Sequence, residues 1–215
     1  MIDKKNLQTK NIKIMKKSVL TIVAGLFISG LTMAMVPHGG NGGSDSDNNS
    51  ATHSVSINIP TIALVDVESG EGEAGVINLS PSVSSLEAGE AVNFGTASNS
   101  DLWLNYTSVV DGNSSTRQIT VELDNENKLP EGVSLLVSAG GITSGKGKKG
   151  SAVSGKVTIE KTAKNLVTGI GSCYTETGVN KGHRLTYELS LDSEDYEDLI
   201  ADTYDVEITY TITGE

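Results

Sequence analysis

The sequence predicts an all-β fold, a single antiparallel β-sandwich with one short helical turn near residues 193–201. Three observations predict it. Apolar and polar residues alternate at period two in a series of runs between Ser54 and Ile212. Turn-forming residues stand between the runs. No long stretch repeats at the helical period. Period-two alternation places one side of a strand in a core and the other in water, as when antiparallel sheets pack face to face. Many short strands without long helices point to a sandwich; a closed barrel is the other arrangement such strands can take.

The runs come in order. Val55, Ile57 and Ile59 alternate with Ser54, Ser56 and Asn58. Leu102, Leu104 and Tyr106 alternate with Trp103, Asn105 and Thr107. Ile119, Val121 and Leu123 follow, then Val133, Leu135 and Val137 with Leu136 on the opposite face. Val157 and Ile159 form a shorter run. Leu185, Tyr187, Leu189 and Leu191 make a long one, and Val206, Ile208, Tyr210 and Ile212 close the series. Val76–Leu79 and Ala91–Phe94 are weaker candidates. Turns are expected at Asp111-Gly112-Asn113, Leu129-Pro130-Glu131-Gly132, Gly140-Gly141 and Lys181-Gly182. Within 192–201, Tyr196, Leu199 and Ile200 recur at helical spacing, Asp192 or Ser193 can cap the start, and Glu194 and Asp195 suit its positive end.

The amino terminus reads as an export signal. Six lysines from Lys4 to Lys17 precede an uncharged apolar run, Ser18–Ala34, that ends in small residues. That order is the layout of a signal peptide over residues 1–34, with translation starting at Met1 or Met15. Such a run is also near the lower limit for a retained membrane anchor, but Gly25 and Gly30 interrupt it and no basic stop cluster follows. No Cys follows it, so the sequence offers no lipoprotein anchor there. Residues 35–53 are dominated by Gly, Ser, Asn and Asp, too little apolar surface to offset ordering entropy, and read as a flexible linker. The sandwich is expected over 54–215, with no stable membrane span once the signal is removed. The expected location is the periplasm, the outer surface or the extracellular space.

Charge narrows the function classes. Residues 1–34 hold six lysines and one acid, so removing them leaves ten basic and 26 acidic residues, a net charge of −16. A chain this acidic repels nucleic acid and anionic membrane surfaces. The lone cysteine, Cys173, forms no internal bridge and is either a small buried apolar residue or a free thiol.

The carboxyl end carries a family resemblance. Leu199-Ile200-Ala201-Asp202-Thr203-Tyr204 leads into the alternating run Asp205–Ile212. A turn, a Tyr and a long terminal strand resemble the end of bacterial immunoglobulin-like surface domains, and look similar to the spore-coat-U and pilin-like sandwiches of Gram-negative bacteria. The resemblance is close over about 15 residues and otherwise rests on strand rhythm; the intradomain disulfide usual in pilins is absent. It implies a non-enzymatic surface or fibre subunit, with Tyr204 at a tyrosine corner. Residues 54–67 follow the linker and alternate strongly, so they either pair within their own sandwich or complete the sheet of a neighbour; Pro60 marks a bend or an edge.

No catalytic, cofactor or metal site is expected. Gly140–Gly147 fits the first part of a phosphate-binding loop, but Gly147 stands where a Ser or Thr must hold magnesium, and the chain runs on toward another strand. This excludes a nucleotide partner and leaves a mobile hairpin tip whose Lys146, Lys148 and Lys149 form the one basic cluster of the mature chain. Cys173 and His183 are ten residues apart, with no recognised spacing for a thiol enzyme. The three histidines are scattered and make no zinc pattern. Asp45–Asn49 lacks the turn Gly and the distal Glu of a calcium loop, and a solvated, capped short helix explains the acids at 192–198 as well as calcium would. Trp103, the one tryptophan, faces out to stack on a sugar if Leu102 and Leu104 face the core, or anchors the core if both faces are buried. The expected partners are therefore further copies of the chain, or a surface glycan or protein met through Trp103 and the Lys146–Lys149 loop.

Overall fold

In a computed structural model, residues 52–70, 76–112, 115–124 and 129–214 are described. The expected signal peptide, 1–34, lies outside the described residues, as does the linker up to Ala51. From Val55 onward the chain is one unit.

Among the described residues eleven strands build two antiparallel sheets packed as a sandwich, as the alternation predicts. They are β1 (Ile62–Ser69), β2 (Ser98–Val109), β3 (Arg117–Leu123), β4 (Val133–Ala139), β5 (Lys146–Gly147), β6 (Ser151–Ala152), β7 (Val157–Thr158), β8 (Lys164–Ile170), β9 (Cys173–Tyr174), β10 (His183–Leu191) and β11 (Ile208–Gly214). The first sheet is organised around β2. Strand β1 pairs along one side of it, from Ile62 opposite Val109 to Ser69 opposite Leu102. On the other side β2 pairs with β10 through Leu104 and with β9 at Thr107 and Ser108. Beyond β10 lie β4 and β7, and beyond β9 lies β5. The second sheet runs β11-β3-β8-β6.

The inward positions meet in one core. Leu104, Leu185 and Val137 of the first sheet are fully buried with Ile119, Val121 and Val167 of the second. Each aliphatic side chain of this size contributes about 1.5–3 kcal/mol when buried. Tyr187 and Tyr210 join the sheets through their hydroxyls, 2.5 Å apart. With no disulfide available to Cys173, this interior and the strand ladders hold the sandwich together.

Several expectations need correction. The run at 54–59 is not a strand here: residues 54–61 have no ladder partner and are exposed. The ladder begins at Ile62 because that residue already faces Val109, the last residue of β2, and Pro60 has no N–H to extend it. Residues 62–67 pair within their own sheet. Val76–Leu79 is irregular, and Phe94–Thr96 is a 3-10 turn capped by the Asn93 side chain. The loop carrying Lys146 is not a free hairpin tip. Lys146 and Gly147 pair with Tyr174 and Cys173, and the Lys148 N–H donates to the Ser172 carbonyl at 3.1 Å. The helical turn is present as a 3-10 turn, Ser193–Asp198, with the Asp192 side chain accepting from the Glu194 N–H.

Candidate functional site

Strand register divides the molecule into two ends. One end holds Ile62, Val109, β9 and the Lys146 loop, because Ile62 faces Val109 and Lys146 joins β2 through Tyr174 and Thr107. The exposed segment 55–61 leaves β1 at this end. Its apolar side chains stay in solvent: Val55 is 71% exposed, Ile57 81% and Ile59 75%. Single exposed apolar residues are ordinary, but three at alternate positions of an unpaired extension have the spacing that would line one face if the extension were paired as a strand.

The opposite end opens into a cleft of about 1150 Å³. Its apolar lining comes from both sheets, with Val67, Leu102 and Leu135 on one side and Ile208 and Tyr210 of β11 on the other. Irregular segments at 76–81 and 199–207 form its walls, and among the described residues no strand closes over the inner face of the first sheet there. Burial pushes the Tyr187 phenol up to about 12, and Tyr210 is raised as well by its own burial and by Tyr187. Both therefore stay neutral. One hydroxyl hydrogen bridges the pair. The cleft's charged lining residues are Asp202, Asp205 and Glu207, with no Lys or Arg among the described lining residues.

The residues singled out from sequence are not brought together. Trp103 is 8% exposed, so it is a core anchor and not an outward stacking surface. Residues of β2 from Leu102 to Tyr106 are buried on both faces. A Cβ on Gly70 would lie 3.3 Å from the Trp103 ring, and the Arg184 guanidinium sits 5.8 Å from its centroid. The neighbouring Asn105 amide donates to the Gly178 carbonyl at 3.1 Å, fixing the 176–182 loop over this face. The register puts Lys146 level with Thr107, four residues or about 13 Å along β2 from Trp103. Lys146 and Lys148 are exposed, whereas Lys149 is partly buried and its ammonium donates to the Ser144 carbonyl at 2.5 Å. The Tyr204 hydroxyl donates to the Ile200 carbonyl at 3.2 Å, a local tie within an exposed segment before β11.

Beneath the lysine loop lies a buried polar cluster. His183 is 2% exposed, and its Nδ1 lies 2.5 Å from the Gly140 carbonyl, which can only accept. Its Nε2 lies 3.1 Å from the Tyr106 hydroxyl, which also reaches the Lys149 carbonyl at 2.5 Å. Both ring nitrogens are thus engaged away from Cys173, whose thiol burial pushes up, against the lowering effect of Lys149. The cluster ties β2 and β10 to both ends of the loop; it does not form an activated thiol. Among the described residues no group of three or more His, Cys, Asp or Glu is placed to hold a metal ion, and no helix is long and apolar enough to cross a membrane.

Burial holds the His183 imidazole below the ordinary histidine range, against the raising effect of its bond to Gly140 and with Lys149 adding to the lowering. The sign follows. The unfolded chain takes up a proton near pH 6.5, and the folded chain only at lower pH. Stability from this group is present above the unfolded value and is lost as pH falls toward the folded one. Urea midpoints measured from pH 7.5 to pH 5 should decline, and His183→Gln should flatten the decline. An equal slope in both proteins would refute the assignment.

Comparison with protein-family models, with curated proteins and with solved structures finds no match. Sequence reading missed the cleft, which irregular segments build. Its acidic rim was visible: residues 192–207 carry eight acids and no base.

Proposed function

We propose that the chain is a non-enzymatic exported structural or surface protein, a pilin-like or adhesin-like subunit that associates with its own kind through residues 55–59. One observation carries the reading. Val55, Ile57 and Ile59 are exposed at alternate positions of an unpaired extension, next to a sandwich in which the other long alternating runs are paired. A strand with unpaired backbone and one apolar face gains both hydrogen bonds and burial by joining another sheet. The basic, apolar and small-residue order of the first 34 residues supports export, and the carboxyl-terminal resemblance supports a surface role. Glycan recognition through Trp103 is the weaker reading, because its ring is covered.

The test is association of the purified chain by sedimentation velocity across a concentration series. Wild type should form concentration-dependent species larger than the monomer. Ile57→Asp places a charge in the proposed contact while touching nothing in the sandwich, so it should leave the monomer folded and reduce association at least tenfold. Identical sedimentation of the two proteins would remove the proposal.

A further inference from the structure

Strand register lines up four outward side chains in one row across the first sheet. Leu64 of β1 stands opposite Thr107 of β2, Thr107 opposite Tyr174 of β9, and Tyr174 opposite Lys146 of β5. Residues directly opposite one another in antiparallel strands point to the same side of the sheet. That side is the outer one, because the neighbours Tyr106 and Ser108 of β2 and Cys173 of β9 are buried. Three strand spacings make the row about 14 Å long. Leu64 is 62% exposed and Tyr174 47%, so an apolar side chain and an aromatic ring flank the half-buried Thr107.

Charge sets the chemistry of what the row can hold. Ser144–Gly150 carries three lysines and no acid, and Lys146 and Lys148 are exposed. Glu176, an acid close to Lys146, is paired with Lys181. That bond first, then the Gly145 N–H, holds its carboxyl below the ordinary range, and the charge of Lys146 adds to the lowering. Two ammonium groups beside one carboxylate leave a positive charge unmatched at this end of the row. Asp66 is the next outward residue of β1, about 7 Å beyond Leu64, and its carboxylate accepts from the Val67 N–H at 2.9 Å. The chain as a whole is acidic, but exposed charges more than about 8 Å apart are largely screened at physiological salt, so the local lysines decide here.

We propose that this row binds an acidic saccharide chain: the Tyr174 ring stacks on the apolar face of one sugar, the Thr107 hydroxyl bonds to a sugar hydroxyl, and Lys146 pairs with a uronic-acid carboxylate. A pyranose has an apolar C–H face and a rim of hydroxyls, which an aromatic ring with polar neighbours matches. At this level β1 and β5 are the edges of the sheet, so a saccharide can run across the row from one edge to the other. Trp103, the ring that stands out in the sequence, is covered; Tyr174 offers an open one on the same face, level with Thr107. The site uses no residue of 55–59, so it is independent of the self-association reading.

Titration calorimetry of the purified chain with tetragalacturonate tests it. Wild type should bind this probe, more weakly as salt is raised. It should not bind maltotetraose, which is neutral, or tetraglutamate, which is acidic without being a sugar. Lys146→Gln and Tyr174→Ala, both at exposed positions, should leave circular dichroism unchanged. Each should weaken binding about tenfold, the scale of one charge-assisted hydrogen bond or one stacked ring. Ile57→Asp should bind like wild type; loss of binding there would place the sugar between copies and overturn the site. Absence of binding by wild type, or equal binding of maltotetraose, overturns the proposal. Equal binding of tetraglutamate makes the row a contact for acidic peptide and overturns it too. Wild-type affinity in either variant does the same, and if Tyr174→Ala does not fold, Lys146→Gln alone decides.

Discussion

Replacing Leu104 with Ala should cost about 2–5 kcal/mol of folding stability, in the upper half of that range. Leu104 is fully buried at the centre of β2. Its backbone is paired on both edges, with Val67 of β1 on one side and His183 of β10 on the other. The lost methyl groups forfeit transfer energy, and the strands around the gap are too constrained to collapse into it, so a cavity term adds to the loss. Domains of this size are stable by roughly 5–15 kcal/mol. A drop of this size should therefore shift the urea midpoint strongly. A variant within about 0.5 kcal/mol of wild type would mean that the interior is not packed as described.

Gly182→Ala should be comparably severe, through the backbone. Gly182 has φ +66°, and a Cβ there would stand 2.0 Å from the Leu104 carbonyl oxygen and 2.7 Å from the Asn105 Oδ1. Left-handed backbone costs an L-residue about 1–2 kcal/mol by itself. The clash cannot be relieved by rotating a flexible side chain, because the nearest atom is backbone in the central strand. A total on the order of 3–4 kcal/mol is expected, read from urea unfolding. Gly178→Ala is the control: φ is +103° but a Cβ would meet nothing within 4 Å, so only the conformational cost remains. Near-equal losses in the two variants would contradict the close approach at Gly182. Trp103 lies under this loop, and its emission should move to longer wavelength in Gly182→Ala if the cover lifts.

Much of the sandwich was legible because its strands are wet on one face. In β3, Ile119, Val121 and Leu123 are buried while the residues between them are not, and the alternation reports this directly. The same logic failed where that physical condition fails. Strand β2 is covered on both sides between Leu102 and Tyr106, so its apparent outward face, including Trp103, is interior. Strand β8 escaped notice because Leu166 and Val167 are adjacent yet both buried, and its ladder with β3 is irregular around Ile119. At 54–59 the alternation is real but the partner strand ends first, since a pattern records the capacity to pair and not the pairing. The cleft had no periodic signature at all, for segments 76–81 and 199–207 follow no regular backbone repeat.

The last strand has a kinetic meaning. Ile212 of β11 pairs with Ile119 of β3, 93 residues earlier, so the second sheet acquires this edge only when residues 208–214 become available. Contacts spanning that much sequence require a large loop to close before they are rewarded, and folding slows accordingly. Until residues 208–214 arrive, β3 keeps one open edge, so the second sheet stays incomplete for longer than a sheet built from local contacts.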